Sequence, residues 1–535
     1  MDYNISSIYN FFGNKMTFCA DREAIYEYDT HRHFTYRDIR RRSSHVASYL
    51  VRKLGLKKDD RVGLCAQNRI EFFDFFFAAY KTGIILTTYN GSLTERELFL
   101  LAENEAPSVL LCSGIYYEKW QHICEKLTNQ PLLVNLDESG PNGYEKWLAE
   151  PIDLPDFLPS AEDILMLIHT GGTTGVPKAA KLSYRAITNN SISTVLTHNL
   201  TPNDATYLML PLFHTAAWNS VSLGILLAGG RLVLKRKFDV ETTYDIIESI
   251  RPSFLLGVPT IYQALAQSPR FQTTDFSSLK ALRCGTAPLP RSLFQLYDAH
   301  NLPLCNAYGL TECGPSNFSF AMHLVTQDIL RAKVGSVGQP MYYNRVRIVD
   351  DSGNEVPPGQ PGELQFSGPL VFSGYWNNPE ETQKVICGNW VNTGDIATCD
   401  SDGFYFIIGR KKNMFITGGE NIFPIEIEDV LIQHPSVQDC CVIGVEDCHW
   451  GEVGKAFVQL RSGCEETPES IINYLAEYLP TIKQPKYISF VDNIPRNSVG
   501  KLLLSKVRAL HDEEMRQNPA PKKIVPTKKS GTYFS

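Results

Sequence analysis

The sequence predicts an α/β fold with more than one domain. Short apolar runs such as Arg61–Ala66 and Arg231–Leu234 are typical of buried strands, and they alternate with helical patterns such as Glu95–Glu103 and Thr243–Ile250. That alternation predicts α/β layers. The chain has 535 residues, well beyond the roughly 250–300 at which one hydrophobic core stops growing. At least two domains are therefore expected.

A change of pattern near residue 334 predicts the internal boundaries. From about 334 to 410, short β-like runs separated by Gly, Pro and Asn predict a β-rich subdomain. A separate α+β unit of ordinary domain size follows. Its elements are expected at Pro424–Gln433, Cys440–Val445, Ala456–Leu460, Pro468–Leu479 and Tyr487–Val491. We therefore predict a large N-terminal domain over 1–410 and a small C-terminal domain over 411–535.

The composition excludes several classes of protein. Hydrophobic residues make up 43% of the chain and charged residues 20%, as in ordinary globular proteins. The net charge of −7 carries no basic excess, so nucleic acid is not an expected partner. The apolar stretches Glu71–Tyr80 and Leu223–Leu234 are shorter or more interrupted than the about 20 residues of a membrane span. We expect no integral membrane segment, and a buried helix or strand in each stretch.

The cysteines and the start of the chain indicate the compartment. The first residues lack the charged-then-apolar layout of a signal peptide. The 13 cysteines show no paired spacing, and the neighbours Cys440 and Cys441 lie in an apolar run, where buried free thiols are common. A reduced, cytoplasmic location is therefore expected, without a zinc site.

A Gly- and Thr-rich segment after the apolar run Ile164–Ile168 has the composition of a phosphate-binding loop. Its residues are Thr170, Gly171, Gly172, Thr173, Thr174, Gly175, Val176, Pro177 and Lys178. Glycines let backbone amides approach a polyphosphate, hydroxyls add donors, and Lys178 supplies positive charge. The loop differs from a Walker loop because its lysine follows Val-Pro. A surface turn is the alternative for a bare Gly/Thr cluster.

Five further motifs follow in order. They are Gly285-Thr286-Ala287-Pro288, Tyr308-Gly309-Leu310-Thr311-Glu312, Asn392-Thr393-Gly394-Asp395, Gly409-Arg410-Lys411-Lys412 and Pro495-Arg496-Asn497-Ser498-Val499-Gly500-Lys501. With the glycine-rich loop, this series resembles the adenylate-forming (AMP-binding) superfamily, which includes acyl- and aryl-CoA synthetases, peptide-synthetase adenylation domains and beetle luciferases. The resemblance runs from about Phe34 to about Lys501 and favours the acyl-CoA synthetase branch. It implies that the small C-terminal domain is mobile.

The resemblance implies a set of ATP- and AMP-binding residues. They are Thr170, Gly171, Gly172, Thr173, Thr174, Gly175, Lys178, Gly285, Thr286, Ala287, Tyr308, Gly309, Thr311, Glu312, Asp395, Arg410 and Lys501. Tyr308 offers an aromatic face for adenine, and Thr311 a hydroxyl for the α-phosphate. Asp395 suits the ribose diol because a carboxylate only accepts hydrogen bonds, and Arg410 is its implied partner. Glu312 and Thr170 would bind Mg²⁺.

The resemblance also assigns residues to the second half-reaction. Lys412 occupies the hinge position about which the small domain turns. Gly418 and Gly419 would line the pantetheine tunnel for coenzyme A, where glycines leave room for a thin substrate arm; a hairpin turn explains this pair equally well. Trp450 resembles a residue near coenzyme A in aryl-CoA ligases. Lys501 corresponds to the lysine that enters the active site for adenylation.

The segment Pro211–Trp218 matches the one beside the carboxylate pocket of the superfamily. Amino-acid-activating relatives carry Asp where this chain has His214, so an α-amino acid is disfavoured. His214, Trp218 and Val258 are the predicted acyl pocket, and Trp218 resembles a gating tryptophan of some fatty acyl-CoA synthetases. Ordinary core packing is the alternative for Trp218. The sequence does not distinguish among fatty, branched and aromatic acids as the substrate.

The implied reaction joins a carboxylic acid to coenzyme A in two steps. The acid attacks ATP to form an acyl adenylate with release of pyrophosphate, and the thiol of coenzyme A then displaces AMP. Mg²⁺, Lys178 and Lys501 would offset the repulsion between the anions. Lys501, Glu312, Lys178 and His214 are therefore the predicted catalytic residues.

Other functions share these motifs. Transfer of the acyl group to an acyl carrier protein ranks second, because the stretch Gly362–Arg410 is too compact for the insertion usual in fatty acyl-AMP ligases. A luciferase-like oxygenase would carry the same nucleotide motifs. A non-catalytic nucleotide-binding protein would be expected to have lost Lys501, Glu312 or Asp395, and this chain keeps all three. The sequence leaves open a homodimer.

Two positions depart from the superfamily pattern. The glycine-rich loop is preceded by His169 where Tyr or Thr is frequent, and Asn413 stands in the hinge where Asp is frequent. Neither change removes a required group.

Overall fold

The computed structural model describes residues 6–139, 143–149, 151–154, 157–171, 177–496 and 502–517. Within these ranges the strands form four sheets, and no helix combines the length and apolar character needed to cross a bilayer. Strands and helices are numbered along the chain.

The first sheet has seven strands in the order β13-β12-β11-β9-β10-β1-β2. They are β1 Glu23–Glu27, β2 Arg32–Thr35, β9 Ala205–Leu208, β10 Arg231–Leu234, β11 Phe254–Gly257, β12 Ala281–Cys284 and β13 Leu304–Asn306. All neighbours are parallel except β2, which runs antiparallel to β1. The carboxyl ends of β11, β12 and β13 therefore share one edge, where ligands bind in open α/β sheets.

The second sheet has six strands in the order β6-β5-β3-β4-β7-β8. They are β3 Arg61–Cys65, β4 Ile85–Thr88, β5 Val109–Cys112, β6 Leu132–Asn135, β7 Ile164–Thr170 and β8 Lys178–Ser183. Only β8 is antiparallel to its neighbour, β7. The glycine-rich segment thus connects two paired antiparallel strands, and Thr170 lies opposite Lys178.

Helices connect and cover these sheets. They are α1 Ser6–Phe18, α2 Tyr36–Ser48, α3 Glu71–Thr82, α4 Glu95–Glu105, α5 Gly114–Cys124, α6 Tyr184–His198, α7 Leu223–Ala228, α8 Val240–Ile250, α9 Pro259–Gln267, α10 Arg291–Asp298, α11 Gln327–Ala332, α12 Pro379–Val385, α13 Pro424–Leu431, α14 Pro468–Leu475 and α15 Leu504–Gln517. Short 3₁₀ segments lie at Tyr144–Ala149, Pro269–Gln272, Thr311–Cys313 and Lys411–Asn413, and π-helical segments at Tyr49–Lys53 and Ala216–Ser222.

The third sheet is antiparallel and contains the predicted β-rich region. Its strands are β14 Phe318–Ser319, β15 Ser336–Pro340, β16 Arg345–Val349, β17 Gly362–Ser367, β18 Ile386–Cys387, β19 Trp390–Cys399 and β20 Tyr405–Arg410. The short β14 pairs with β15, so the sheet starts before residue 334. The pairing of β19 with β20 brings Asp395 opposite Arg410.

The fourth sheet belongs to the C-terminal part. Its strands are β21 Phe415–Thr417, β22 Glu420–Ile422, β23 Val437–Asp447, β24 Gly451–Leu460 and β25 Tyr487–Phe490. The β23–β24 hairpin is longer than the apolar runs Cys440–Val445 and Ala456–Leu460 indicated, because its pairing continues through the polar ends. The largest hydrophobic cluster extends from Phe12 to Ala397, and two others begin at Phe415 and Cys441.

The structure confirms the α/β class and the α+β C-terminal unit, and it resolves both ambiguous apolar stretches. Glu71–Tyr80 is helical and buried on all sides, which explains why it shows no amphipathic period. Leu223–Leu234 divides into α7 and β10 at Gly229, whose φ of +89° ends the helix. All 13 cysteines are free thiols.

Candidate nucleotide and acyl site

Two predicted nucleotide-binding motifs leave the first sheet at its carboxyl edge. Strand β12 runs directly into Gly285, and β13 is followed closely by Tyr308. Gly309 has to be glycine, because a Cβ there would lie 1.8 Å from the carbonyl oxygen of Pro315. The structure therefore brings the two motifs side by side and fixes the backbone next to Tyr308.

Tyr308, Asp395 and Arg410 form one hydrogen-bonded group. The Tyr308 hydroxyl donates to Oδ2 of Asp395 at 2.5 Å, and Nε of Arg410 lies 2.6 Å from Oδ1. Asp395 is 3% exposed. Burial, and next the negative charge of Asp395, hold the pKa of Tyr308 well above its ordinary value, so the phenol stays protonated and donates. Each carboxylate oxygen keeps acceptor capacity for a ribose hydroxyl.

Tyr375 contacts both Lys178 and Glu312. The Lys178 ammonium lies 5.2 Å from the centre of the Tyr375 ring, and the Tyr375 hydroxyl donates to Oε1 of Glu312 at 2.7 Å. Lys178 also donates to Glu381 on α12. Hydrogen bonds from Lys178 and Lys384 lower the pKa of Glu381 to about 2. The predicted phosphate lysine is thus paired with a carboxylate in the structure.

The beginning and end of the glycine-rich loop are described, but its middle is not. Thr170 ends β7, and its hydroxyl donates weakly to the Lys178 carbonyl at 3.4 Å. Gly171 is exposed. The predicted residues Gly172, Thr173, Thr174 and Gly175 lie outside the described residues.

The donor set beside the loop fits a magnesium ion. The hydrogen bond from Tyr375 engages Oε1 of Glu312, and among the described residues none donates a hydrogen bond to Oε2, the oxygen that a hard cation would use. Mg²⁺ commonly binds through one or two carboxylates together with substrate phosphates. Glu312 could therefore hold Mg²⁺ on a bound nucleotide, and the hydroxyl of Thr170 could contribute through its weakly bonded oxygen.

The predicted adenine segment contains a residue in the left-handed region. Thr286 has a φ of +65° and is exposed, whereas Gly285 is buried and Ala287 is half-buried. A β-branched residue rarely adopts that conformation. Strain of this kind is common where a loop is held for a ligand. Thr311 begins the short helix Thr311–Cys313 and is half-buried.

The predicted acyl residues differ in exposure. His214 is half-buried and its ring lies 4.6 Å from that of Phe213, while Val258 is buried at the end of β11. Trp218 is fully buried. Its indole stacks on Phe76 at 5.2 Å and its Nε1 donates to the carbonyl of Leu212 at 2.6 Å. This geometry favours core packing for Trp218, and contact with an acyl chain stays a prediction.

The residues predicted for coenzyme A lie together in the C-terminal part. The Gly418 amide donates to the carbonyl of Trp450 at 2.9 Å, and a Cβ on Gly418 would lie 2.8 Å from the indole. Gly419 is exposed with a φ of +92°. Lys412 is exposed within the 3₁₀ segment after β20. Lys501 lies outside the described residues.

Sequence reasoning missed three contributors to this site. Tyr375 and Glu381 are more than 60 residues from the groups they contact, and no motif of the sequence pointed to them. Glu105 is the third, because its buried carboxylate pairs with His169 immediately before the loop. In the sequence, the one indication of this pairing was the histidine at position 169, where Tyr or Thr is frequent in the superfamily.

Most of the chain matches known enzyme families and curated relatives. The AMP-binding enzyme family matches residues 14–376, and the AMP-binding enzyme C-terminal domain matches residues 426–501. A feruloyl-CoA synthase of Amycolatopsis is 35% identical over 474 residues, covering 89% of this chain and 93% of the relative. A long-chain-fatty-acid–CoA ligase of Escherichia coli is 33% identical over 508 residues, covering 89% of each chain.

Solved structures show the same architecture. ATP-bound MatB from Rhodopseudomonas palustris matches with a TM-score of 0.86 at 28% identity, covering 95% of this chain and 99% of MatB. The apo form of the same protein matches with a TM-score of 0.75 over the same share of this chain. Together with the two family matches, these similarities show that the chain belongs to the AMP-binding enzyme family, in its acyl-CoA synthetase branch.

Proposed function

We propose that this protein is an ATP-dependent ligase that joins an aryl or fatty carboxylic acid to coenzyme A through an acyl adenylate. The observation that carries the proposal is that polar and charged side chains far apart in the sequence contact one another at the carboxyl edge of the first sheet. Tyr308 binds Asp395, and four residues later Glu312 binds Tyr375, which lies under Lys178. Side chains suited to ribose, to a cation and to phosphate are thus connected through the segment 308–312.

In the first step, a carboxylate oxygen of the acid attacks the α-phosphorus of ATP and pyrophosphate leaves. Asp395 and Arg410 would hold the ribose, and Lys178 would exchange Glu381 for phosphate oxygens. Lys501 would contribute a second positive charge as negative charge develops on the phosphorus. When bound, Mg²⁺ would neutralise phosphate charge.

In the second step, the thiol of coenzyme A attacks the acyl carbon, loses its proton and displaces AMP. We propose that the small domain turns about Lys412 so that the hairpin at Gly418 and Gly419 replaces Lys501 near the adenylate. Two observations support this proposal: Gly418 and Gly419 are exposed, and the chain matches ATP-bound MatB with a higher TM-score than it matches apo MatB.

Further observations support the acceptor and the compartment that we propose. The two relatives described above are named as CoA ligases, which favours coenzyme A over an acyl carrier protein. The 13 free thiols support a reducing, cytoplasmic location. A homodimer stays a prediction.

A pyrophosphate-release assay over aryl, fatty and amino acids tests the proposal. We expect release with aryl or fatty acids, little with amino acids, and thioester formation when coenzyme A is added. Absence of pyrophosphate with every acid would exclude the adenylating function. Pyrophosphate without thioester, restored by an acyl carrier protein, would favour the alternative acceptor.

A further inference from the structure

An ion pair joins strand β23 to the part of the chain that leads into Lys501. Nε of Arg496 donates to Oδ2 of Asp439 at 2.8 Å, and Nη2 donates to Oδ1, also at 2.8 Å. The two side chains are 30% and 24% exposed. Two parallel hydrogen bonds between a guanidinium and a carboxylate fix the orientation of the arginine as well as its position. The pair therefore holds the Arg496 side chain against β23 in one geometry.

A second carboxylate lies near the same guanidinium. Glu428 on α13 accepts a hydrogen bond from the backbone amide of Val442 at 2.8 Å, which attaches the helix to β23. The hydrogen bond with Asp439 is the largest influence that raises the pKa of Arg496, and the charge of Glu428 is a smaller one. Burial raises the pKa of Glu428 to about 7. Glu428 is thus partly neutral near pH 7, and Asp439 is the principal negative charge beside Arg496.

The backbone at Arg496 transmits this constraint to the residue next to Lys501. Arg496 and Leu502 pair as an antiparallel bridge, and the amide of Leu503 donates to the carbonyl of Pro495 at 2.9 Å. Directly paired residues of antiparallel strands have Cα atoms about 4.5–5.5 Å apart. Leu502 follows Lys501 in the chain, so a single backbone pair separates the ion pair from the neighbour of the predicted catalytic lysine.

Helix α15 attaches the chain to the same sheet after Lys501. Val507 is fully buried in a hydrophobic cluster with residues of β23 and β24. The carboxylate of Glu514 accepts from the hydroxyl of Ser489 on β25 at 2.8 Å and from the ammonium of Lys455 on β24. The fourth sheet therefore holds the chain on both sides of Lys501.

The ion pair between Asp439 and Arg496 is better suited to positioning than to stabilising the fold. Partly exposed ion pairs contribute little to stability, and the C-terminal part has two buried apolar clusters of its own. Position is the more sensitive requirement, because misplacement of a reacting group by about 1 Å can slow a reaction about 100-fold. A bidentate pair so close in the chain to a catalytic group is thus expected to affect geometry more than folding.

We propose that Asp439 and Arg496 are positioning residues for the adenylation step, in which their ion pair fixes the backbone next to Lys501 and so aims its ammonium at the reacting phosphate. This inference rests on the proposed ligase function and on the role of Lys501 in it. Asp439 and Arg496 act through Leu502 and not by contact with the substrate. The second half-reaction does not use Lys501, so it does not depend on the pair.

Separate measurement of the two half-reactions tests the inference. Asp439→Asn keeps the shape of the side chain and removes its charge, whereas Arg496→Met removes the guanidinium. Each variant should slow pyrophosphate release from ATP and acid by about 10- to 100-fold, yet convert supplied acyl adenylate and coenzyme A to thioester at nearly the wild-type rate. Because Glu428 stays near Arg496, the loss should be smaller for Asp439→Asn than for Arg496→Met.

Combination with Lys501→Ala distinguishes positioning from a general structural role. Arg496→Met should add no further loss of pyrophosphate release to Lys501→Ala, because residues that act as one unit have non-additive effects. A structural role independent of Lys501 would add its own loss. Arg496→Lys keeps the charge without the two parallel hydrogen bonds, so it should retain part of the rate that Arg496→Met loses.

Two exposed residues of the C-terminal part are matched controls. Glu469→Gln removes the charge of a carboxylate on α14, and Arg461→Met removes an arginine directly after β24. Neither control should change the rate of either half-reaction. Thermal unfolding of every variant reports whether it is folded.

The outcomes distinguish this inference from the function on which it rests. No pyrophosphate from the wild type with any acid would overturn the ligase function and this inference with it. In an active wild type, equal loss of both half-reactions in the Asp439 and Arg496 variants, or no loss of either, would overturn this inference alone. A further loss when Arg496→Met is added to Lys501→Ala would do the same. If Arg496→Met fails to fold, Asp439→Asn and Arg496→Lys provide the same comparisons.

Discussion

Nε2 of His169 lies 2.5 Å from Oε1 of Glu105, directly before the predicted phosphate loop. Oε2 of the same carboxylate accepts from the hydroxyls of Tyr89 and Thr87, and Nδ1 of His169 lies 2.9 Å from the carbonyl of Thr88. Burial alone would lower the pKa of His169, but the charge and hydrogen bond of Glu105 raise it overall. The loop thus starts from a buried ion pair.

Glu105→Gln should therefore destabilise the protein, by about 3–5 kcal/mol for a broken buried pair. Because the folded pKa of His169 is raised, the pair contributes fully below the ordinary histidine pKa of about 6.5 and is lost as pH rises through the folded value. The difference in unfolding free energy between wild type and variant should shrink over that rise, measured by urea titration. Glu103→Gln on the same helix is the control, and a difference independent of pH would contradict the ion pair.

Asp395→Ala should weaken ATP binding with the fold intact. The proposed ribose contacts are charge-assisted hydrogen bonds worth about 1.5–3 kcal/mol each, so calorimetry should show a loss of at least about tenfold. Tyr308→Phe keeps the aromatic face and removes only the hydroxyl that orients Asp395; a smaller loss is expected. Unchanged ATP affinity in folded Asp395→Ala would reject the ribose assignment.

Glu381→Gln should strengthen ATP binding modestly. In the structure Lys178 is bound to Glu381, so phosphate has to displace a carboxylate before it reaches the ammonium. Half-exposed ion pairs are weak, and a gain of about two- to fivefold in affinity is expected. Glu380→Gln, the neighbouring substitution, should have no effect. Weaker binding by Glu381→Gln would mean that Glu381 positions Lys178 instead of competing for it.

Trp218→Ala should chiefly cost stability. The indole is fully buried among the aromatic residues of α3, and removal of such a side chain costs about 3–5 kcal/mol. Thermal and denaturant unfolding measure the loss, with Trp218→Phe as the milder variant. A changed acid preference at unchanged stability would instead support contact with the acyl body.

Lys501→Ala and Gly419→Leu should separate the two half-reactions. Lys501→Ala should slow adenylate formation by about 10²–10³, yet convert supplied acyl adenylate and coenzyme A to thioester at nearly normal speed. Gly419→Leu should keep pyrophosphate release and lose thioester formation.

Matched controls are available for both variants. Lys506→Ala removes an exposed lysine five residues after Lys501 in the sequence. Gly463→Leu imposes the same strain as Gly419→Leu, since Gly463 has a φ of +80° and equally open surroundings. Rapid-quench measurement of the rate of each half-reaction tests both predictions. Equal loss of both halves in both folded variants would contradict domain alternation.

Some features of this protein follow from the sequence alone because they depend on local patterns. The alternation of apolar and helical segments predicts the α/β class, and the order of six motifs indicates the nucleotide-binding residues. Asp395 and Tyr308 could be named because the motifs that contain them resemble those of the adenylate-forming superfamily.

The tertiary structure alone decided how distant charges are paired. Lys178 and Glu381 are separated by 203 residues, and His169 and Glu105 by 64, so no periodicity or spacing relates them. Burial is equally a tertiary property: the sequence left Trp218 open between pocket and core, and only the structure shows that its indole is fully buried. The energy of a buried charge or ring depends on what folding places around it, and that is set by the packing of sheets and helices.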